Sequence, residues 1–140
     1  MEHSPKNSFL HAIDQYITAS MGQATVLGLN VHKEHSASDT HLGATEYPFK
    51  MIAHNRKFRL RIGKNLIGRS KDNNIVINDH AVSRHHCVVV VHSNLRCELV
   101  DMASSNGTLL NGERVRKPTT IQPGDDICIG NERLLFSKNE

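Results

Sequence analysis

The spacing of apolar residues changes near residue 48, and this change divides the chain into two parts. In the first part, apolar residues recur at the three- and four-residue intervals of one helix face: Phe9, Leu10, Ile13, Tyr16, Ile17 and Met21. Ser8 is a suitable N-cap for such a helix, and Gly22 disfavours its continuation. The polar segment that follows is rich in small residues and is typical of a linker. We therefore expect residues 1–47 to form a flexible N-terminal extension with a short amphipathic helix at 9–21.

Two interpretations of this helix stay open at the level of sequence. The helix packs loosely on the domain that follows, or it binds a partner or a second copy of the chain. The apolar pattern is compatible with both, because each would bury the same face.

From Pro48 onward the pattern changes to short apolar runs separated by turn residues. KFRLRI, residues 57–62, alternates basic and apolar side chains with a period of two, as a half-buried strand does. Further runs follow at intervals of roughly 8 to 12 residues: NIVIN, CVVVVH, LRCELVD, GTLLNG, DDICIG and RLLFS. Turn signals lie between them at Ser93-Asn94, Asn106-Gly107, Asn111-Gly112 and Pro123-Gly124. This pattern predicts an all-β sandwich over residues 48–137.

One stretch is similar to a nucleotide-binding loop but departs from it. In GKNLIGRS, residues 63–70, two glycines and a serine have the P-loop spacing, but Arg69 stands where the lysine belongs. A P-loop also requires a helix immediately afterwards, whose N-terminus faces the phosphates. The next residues, KDNNIVIND, instead favour a turn followed by a strand. We therefore do not expect this stretch to bind a nucleotide.

Charge is distributed unevenly between the two parts of the chain. Residues 1–48 carry two basic and five acidic side chains, whereas residues 49–140 carry fifteen basic and nine acidic ones. A basic body suggests an anionic partner. Single-strand nucleic-acid binders need aromatic stacking platforms, and the whole chain has four phenylalanines, two tyrosines and no tryptophan. We therefore do not expect nucleic acid to be the partner.

Targeting signals and cysteine usage bear on the cellular location. No run approaches the roughly 20 apolar residues that span a bilayer, and the start of the chain lacks the basic and apolar regions of a secretory signal. The three cysteines, Cys87, Cys97 and Cys128, have no paired spacing and indicate reduced thiols. These features predict a cytoplasmic protein that does not insert into a membrane.

Side chains that can bind phosphate occur in three of the predicted loops. They are Arg69 in the first loop, Ser83, Arg84 and His86 in the second, and Ser104, Ser105, Asn106 and Thr108 in the third. Loops at one end of a sandwich cluster in space although they are distant in sequence. Two guanidinium groups with neutral hydroxyl and amide donors suit a dianionic phosphate group. The loops therefore predict a phosphate-binding recess.

The order of these motifs resembles the forkhead-associated (FHA) domain family. The motifs are Gly68-Arg69, then Ser83-x-x-His86, then Ser105-Asn106-Gly107-Thr108 with Asn111-Gly112, and finally IQPGDDICIG. The resemblance extends from about Pro48 to Phe136 and implies an eleven-stranded β-sandwich that binds phosphothreonine peptides through loops at one end. It implies that Arg69, Ser83, Arg84, Ser105 and Asn106 bind the phosphopeptide. It further implies that other motif residues support the binding loops: Gly68, His86, Gly107, Thr108, Asn111 and Gly112.

The resemblance thus implies a non-catalytic adaptor in Ser/Thr-kinase signalling or complex assembly. The partner would be a phosphothreonine-containing protein, such as a Ser/Thr kinase or its substrate. An alternative function is assembly through the FHA fold with an idle pocket, in which residues 9–21 mediate self-association. No cofactor is expected.

Two further chemistries are disfavoured by the residue types in the loops. His80, His85 and His86 could suggest a metal site, but no carboxylate or thiolate pattern accompanies them. Ser83, His86 and Asp79 have the residue types of a hydrolytic triad, yet nothing in the sequence places a base against the serine or supplies an oxyanion hole. We therefore expect neither a metal site nor an enzyme.

Overall fold

Eleven strands in two sheets form the framework of residues 46–139, the part of the chain that the computed structural model describes. The helix expected at 9–21 and the linker after it lie outside the described residues. The first sheet contains β1 (Phe49–Ala53), β2 (Arg56–Leu60), β7 (Thr108–Leu110), β8 (Glu113–Arg114), β10 (Asp126–Ile129) and β11 (Glu132–Lys138). The second sheet contains β3 (Gly63–Gly68), β4 (Ile75–Val76), β5 (Cys87–Val91), β6 (Cys97–Asp101) and β9 (Thr119–Ile121).

The two sheets confirm the predicted all-β sandwich. The strand order is β2-β1-β11-β10-β7-β8 in the first sheet and β4-β3-β5-β6-β9 in the second. Neighbouring strands are antiparallel except β3 and β4, which are parallel. No helix in the described part of the chain is long and apolar enough to cross a membrane.

The core lies between the sheets and is built from alternate residues of the strands. Met51, Leu60 and Phe136 are buried on the first sheet, and Phe136 stacks on Phe49 with ring centroids 5.0 Å apart. Leu99, at the centre of β6, is fully buried on the second sheet. Because inward and outward side chains alternate along each strand, the sheet faces fix which loop residues can approach one another.

Two of the three turns predicted at glycine dipeptides are confirmed, whereas at Asn106-Gly107 the chain bends and only Gly107 has a positive φ. Asn111 and Gly112 have φ values of 51° and 89° and join β7 to β8, as a two-residue hairpin turn with positive φ at both positions requires. After Pro123, Gly124 has a φ of 100°, and the Asp125 N–H donates to the Gln122 carbonyl over 3.0 Å. This geometry is that of a type II turn.

Some strand bounds differ from the apolar pattern. The strand expected over residues 57–62 ends at Leu60, because Arg61 and Ile62 form an exposed connection to β3. The amide of Asn65 fixes this connection: the Arg61 N–H donates to Asn65 Oδ1, and Asn65 Nδ2 donates to the Arg61 carbonyl, each over 3.0 Å. A buried side-chain amide thus replaces strand pairing at this corner.

A substitution in β6 tests the assignment of Leu99 to the core. Leu99→Ala removes a fully buried side chain, and we expect it to lower the free energy of unfolding by roughly 2–5 kcal/mol through lost burial and a residual cavity. Leu95→Ala, at a side chain that is 50% exposed, is the matched control and should change it by about 0.5 kcal/mol or less. Urea unfolding of the two variants measures both values, and equal losses would contradict this assignment of the core.

Candidate functional site

The register of the second sheet brings three loops to one end of the sandwich. Ile67 pairs with Cys87, and Cys87 pairs with Asp101. The loop at 69–74 therefore leaves β3 beside the loops at 77–86 and 102–107, which precede β5 and follow β6. We call these three loops together the loop end. It is the region in which the sequence placed its candidate phosphate ligands.

Arg69, Ser83 and Ser105 are brought together at the loop end. The Arg69 N–H donates to the Ser83 carbonyl, and Arg69 Nε donates to the Val82 carbonyl, each over 3.0 Å. The Ser105 N–H donates to Ser83 Oγ over 3.0 Å. The Arg69 side chain is thus held by its Nε, while its terminal nitrogens form no hydrogen bond or ion pair with another described residue.

Arg84 lies next to these residues, and its backbone carbonyl is bonded twice. That carbonyl accepts the Ser70 N–H over 3.2 Å and Asn73 Nδ2 over 2.7 Å. Its side chain is exposed and forms no ion pair with a carboxylate of residues 46–139. Within residues 46–139, neither the Arg69 nor the Arg84 guanidinium is paired with a carboxylate.

Asn106 is held at the loop end by its side-chain amide. Asn106 Nδ2 donates to the Ala81 carbonyl over 2.8 Å, which ties the loop at 102–107 to the loop at 77–86. The Asn106 side chain is exposed, and its Oδ1 accepts no hydrogen bond from the described residues. This amide is oriented and has bonding capacity left for a ligand.

His86 is fully buried and joins two of the loops. The Ser83 N–H donates to His86 Nδ1 over 3.0 Å, and His86 Nε2 lies 2.8 Å from the Gly107 carbonyl. Nδ1 must accept, so the proton is on Nε2, which donates to Gly107. These bonds use both ring nitrogens on backbone groups. His86 is therefore bonded to the backbone of Ser83 and of Gly107, and it ties the loop at 77–86 to the loop at 102–107.

Two glycines permit close approaches within the loop end. A Cβ on Gly68 would lie 2.2 Å from the Arg84 carbonyl oxygen, a separation that backbone atoms cannot accommodate without moving. Gly107 has a φ of 88°, and a Cβ there would lie 2.9 Å from Arg114 Cζ. Both positions therefore require glycine for the observed geometry.

A carboxylate that the sequence reasoning missed organises the third loop. Asp101 Oδ1 accepts the hydroxyls of Ser104 and Thr108, each over 2.6 Å, and Asp101 Oδ2 accepts the Ser104 N–H over 3.1 Å. Ser104 Oγ in turn accepts the Gly107 N–H over 3.0 Å. An aspartate that begins a Ser-, Asn- and Gly-rich loop is a recognisable signal for such bonds.

Asn73 and Asp79 also support the loop end, although the sequence analysis assigned them no such role. Asn73 Nδ2 donates to the carbonyls of Ser70 and Arg84, each over 2.7 Å, and so joins the first loop to the second. Asp79 accepts the backbone N–H groups of Ala81 over 2.9 Å and Asn131 over 2.8 Å. These two hydrogen bonds hold the pKa of the Asp79 carboxyl below its ordinary value.

Asn111 and Gly112 lie at the other end of β7 from Thr108. Asn111 Nδ2 donates to Asp125 Oδ1 over 3.0 Å, and the Asp126 N–H donates to Asn111 Oδ1 over 2.9 Å. Asn111 thus fixes the start of β10 against the β7–β8 turn. The structure does not bring these two residues into contact with the loop end.

A substitution of His86 tests whether its imidazole stabilises the loops. His86→Ala would leave the Ser83 N–H and the Gly107 carbonyl without their partner in a buried position, and we expect the free energy of unfolding to fall by roughly 2–4 kcal/mol. His80→Ala, at an exposed histidine of the same loop, should change it by about 0.5 kcal/mol or less. Chemical denaturation measures both. An unchanged stability in His86→Ala would show that this imidazole does not hold the loops.

Comparison with known proteins identifies the family of this fold. The family model of the FHA domain matches residues 65–130. The transcriptional regulatory protein EmbR of Mycobacterium tuberculosis is 38% identical over 85 residues, which cover 61% of this chain and 22% of EmbR. The oxoglutarate dehydrogenase inhibitor of Corynebacterium glutamicum is 39% identical over 69 residues, which cover 49% of this chain and 47% of the inhibitor. The chain thus spans less than half the length of these relatives.

Solved structures agree with that family. An FHA domain studied for its phosphothreonine-dependent interactions has a TM-score of 0.62 and 27% identity, covering 66% of this chain and 98% of its own. Mycobacterium tuberculosis EmbR, in complex with a low affinity phosphopeptide, has a TM-score of 0.61 and 28% identity, covering 75% of this chain and 30% of its own. The resemblance found in the motifs and the fold that it implied are both confirmed.

Proposed function

This chain carries an FHA domain, and we propose that the domain is a phosphothreonine-dependent binding module, a non-catalytic adaptor in Ser/Thr-kinase signalling or complex assembly. The observation that carries the proposal is the loop end. Two arginines without ion pairs among the described residues, Arg69 and Arg84, lie there beside the bonded pair of Ser83 and Ser105. A phosphoryl group carries a charge of about −1.5 to −2 at pH 7, which two guanidinium groups compensate.

Arg69 is the proposed anchor for the phosphate. Its Nε is bonded to the Val82 carbonyl over 3.0 Å, which restricts the guanidinium while its terminal nitrogens stay available. A guanidinium offers its hydrogens as a planar fork that matches phosphate oxygens. Arg84 adds the second positive charge from the neighbouring loop.

Ser83 is oriented to donate its hydroxyl hydrogen. A hydroxyl has one donor and two acceptor sites, and Ser83 Oγ already accepts the Ser105 N–H over 3.0 Å. Its hydrogen therefore remains for a phosphate oxygen. Ser105 lies against the phosphate in this arrangement, and the oriented amide of Asn106 contacts the backbone of the bound peptide.

Hydrogen bonds to the phosphate supply a large part of the free energy that micromolar affinity requires. Each hydrogen bond to a charged group contributes about 1.5–3 kcal/mol, and micromolar binding requires about 8 kcal/mol. Three or four such bonds supply much of that value before the cost of ordering the peptide. The phosphate-dependent ligands of similar FHA domains support the same ligand class.

The proposed partner is a phosphothreonine-containing protein, such as a Ser/Thr kinase or its substrate, in the cytoplasm. All three cysteines are free thiols, and Cys87 and Cys97 are buried, which suits a reducing compartment. No cofactor or metal takes part in the proposed contacts.

Binding to a degenerate phosphothreonine peptide library tests the proposal. We expect Arg69→Ala to weaken binding by about 100-fold or more, since it removes the forked contact, and Ser83→Ala to weaken it by about 10-fold, since it removes one hydrogen bond. Arg61→Ala removes the same charge from an exposed residue before β3, at the opposite end of that strand from Arg69, and should leave affinity within about twofold. Fluorescence anisotropy measures all four proteins.

Phosphoserine and unphosphorylated libraries are the ligand controls. Weak or absent binding to both, together with micromolar binding to the phosphothreonine library, is the expected result. A folded protein that binds none of the libraries, or an Arg61→Ala variant that loses as much affinity as Arg69→Ala, would refute a specific phosphothreonine site at the loop end.

A further inference from the structure

Strand β2 forms one edge of the first sheet and is the longest edge strand in the described part of the chain. It lies at the end of the strand order, and β1 is its neighbour. The other edge strands, β4, β8 and β9, contain two, two and three residues, whereas β2 contains five. Unpaired backbone groups at an edge can bond a further strand, and proteins often keep edge strands short for this reason. Among the described residues, β2 is therefore the edge with the most capacity for an added strand.

The hydrogen-bond pattern shows which backbone groups of β2 face the open edge. The Asn139 N–H donates to the Pro48 carbonyl over 3.0 Å, so the even-numbered residues of β1 bond β11 and the odd-numbered residues bond β2. These odd-numbered residues of β1 pair with the even-numbered residues of β2. The N–H and C=O groups of Lys57 and Arg59 therefore point away from β1, to the open edge.

Cationic side chains border this edge on both faces of the sheet. Lys57 and Arg59 are exposed on the outer face, because they alternate with Phe58, which packs against the core. Arg56 is exposed on the other side, with its Cζ 4.7 Å from the centroid of the Phe58 ring. The Arg59 Cζ lies 5.3 Å from the centroid of the Tyr47 ring. The two aromatic rings thus orient both guanidinium groups beside the edge.

The charges at this edge are not compensated within residues 46–139. Lys50 lies directly opposite Arg59 in a pair that is not hydrogen-bonded, where side chains approach most closely. Like charges in this position destabilise a sheet. On the same outer face, Asp126 Oδ2 accepts a hydrogen bond from Arg133 Nε over 2.6 Å, and it forms no ion pair with Lys50 or Arg59. An anion bound along β2 would relieve the repulsion.

We propose that the open edge of β2 binds an extended acidic segment of a partner protein as an additional antiparallel strand. The N–H and C=O groups of Lys57 and Arg59 bond the backbone of the segment, and carboxylates at alternate residues of the segment lie beside these two cations on the outer face. Residues 49–71 contain eight basic side chains and no acidic ones. The strands β1, β2 and β3 therefore attract an acidic segment.

The same charges disfavour a second copy of this chain as the added strand. Two β2 edges that paired with each other would bring Lys57 and Arg59 next to the same cations of the second copy. Charged residues on an edge strand prevent such pairing. An acidic segment replaces the repulsion with attraction, so the edge selects its partner by charge. None of these residues belongs to the loop end, and a peptide without phosphothreonine is therefore a sufficient ligand.

Binding of an unphosphorylated acidic peptide to the full chain tests the proposal. The probe is a fluorescent seven-residue peptide in which glutamates alternate with valines. Lys57→Thr with Arg59→Thr removes two cations but keeps residue types that favour strands, and we expect it to weaken binding by about tenfold or more. Arg116→Thr with Lys117→Thr, at exposed residues between β8 and β9, removes the same charge and should leave affinity within about twofold. Fluorescence anisotropy measures the three proteins.

Two methylated peptides distinguish strand addition from attraction between charges alone. Directly opposite residues of an antiparallel pair exchange both hydrogen bonds, so the glutamates opposite Lys57 and Arg59 donate their N–H groups to β2, whereas the valines do not. Methylation of the glutamate nitrogens should weaken binding by about tenfold or more. Methylation of the valine nitrogens keeps the same charge and should weaken it by about threefold or less.

Amide hydrogen exchange locates the contact on the sheet. The N–H groups of Lys57 and Arg59 face the open edge, so they should exchange quickly in the free chain and slowly with saturating acidic peptide. The Phe58 N–H bonds β1 and should exchange slowly in both states.

Four results would overturn the proposal. Equal losses of affinity in the two pairs of variants, or equal binding of the two methylated peptides, would mean that net charge alone attracts the probe. Slow exchange at Lys57 and Arg59 in the free chain would mean that a segment of this chain or a second copy already occupies the edge. A folded chain that does not bind the acidic peptide would show that the edge does not accept an acidic strand.

Discussion

A buried imidazole holds together the two loops on which the candidate site depends. His86 accepts the Ser83 N–H at Nδ1 and donates to the Gly107 carbonyl through Nε2. Ser83 therefore occupies a fixed position from which its hydroxyl accepts the Ser105 N–H. The bonds from His86 to Gly107 and from Ser105 to Ser83 each join residues about 20 apart in sequence, so the side chains of His86 and Ser83 together convert separate loops into one surface.

The electrostatics of the loop end follow from the same bonding scheme. Asp101 accepts the hydroxyls of Ser104 and Thr108, Asp79 accepts two backbone N–H groups, and Asp72 lies 3.8 Å from His85 Nε2. They organise the loops and do not pair with Arg69 or Arg84. The Arg69 guanidinium is held by the bond from its Nε to the Val82 carbonyl, so little free energy is needed to order this side chain around an anion.

The sequence predicted the features that depend on neighbouring residues. Short apolar runs identified β5 and β6, and the Asn111-Gly112 and Pro123-Gly124 pairs identified turns, because apolar runs and positive φ are local properties. Short strands such as β8, with two residues, carry too little periodicity to be recognised. The role of Asn73 in joining two loops was missed because its bond to the Arg84 carbonyl is set by tertiary structure. The bonds of Asp101 to Ser104 and Thr108 span at most seven residues and were recognisable from the sequence. Likewise, CVVVV indicated a strand, but only its register in the sheet shows which valines face outward.

The most direct test of the central claim locates the ligand on the domain. A phosphothreonine peptide from the library is titrated into the ¹⁵N-labelled chain, and backbone amide shifts are followed by NMR. Phosphate binding at the loop end predicts the largest shifts at Arg69, Ser83, Arg84, Ser105 and Asn106, with the unphosphorylated peptide causing none. Shifts that are absent there, or that concentrate elsewhere on the sandwich, would contradict the assignment of the loop end as the site.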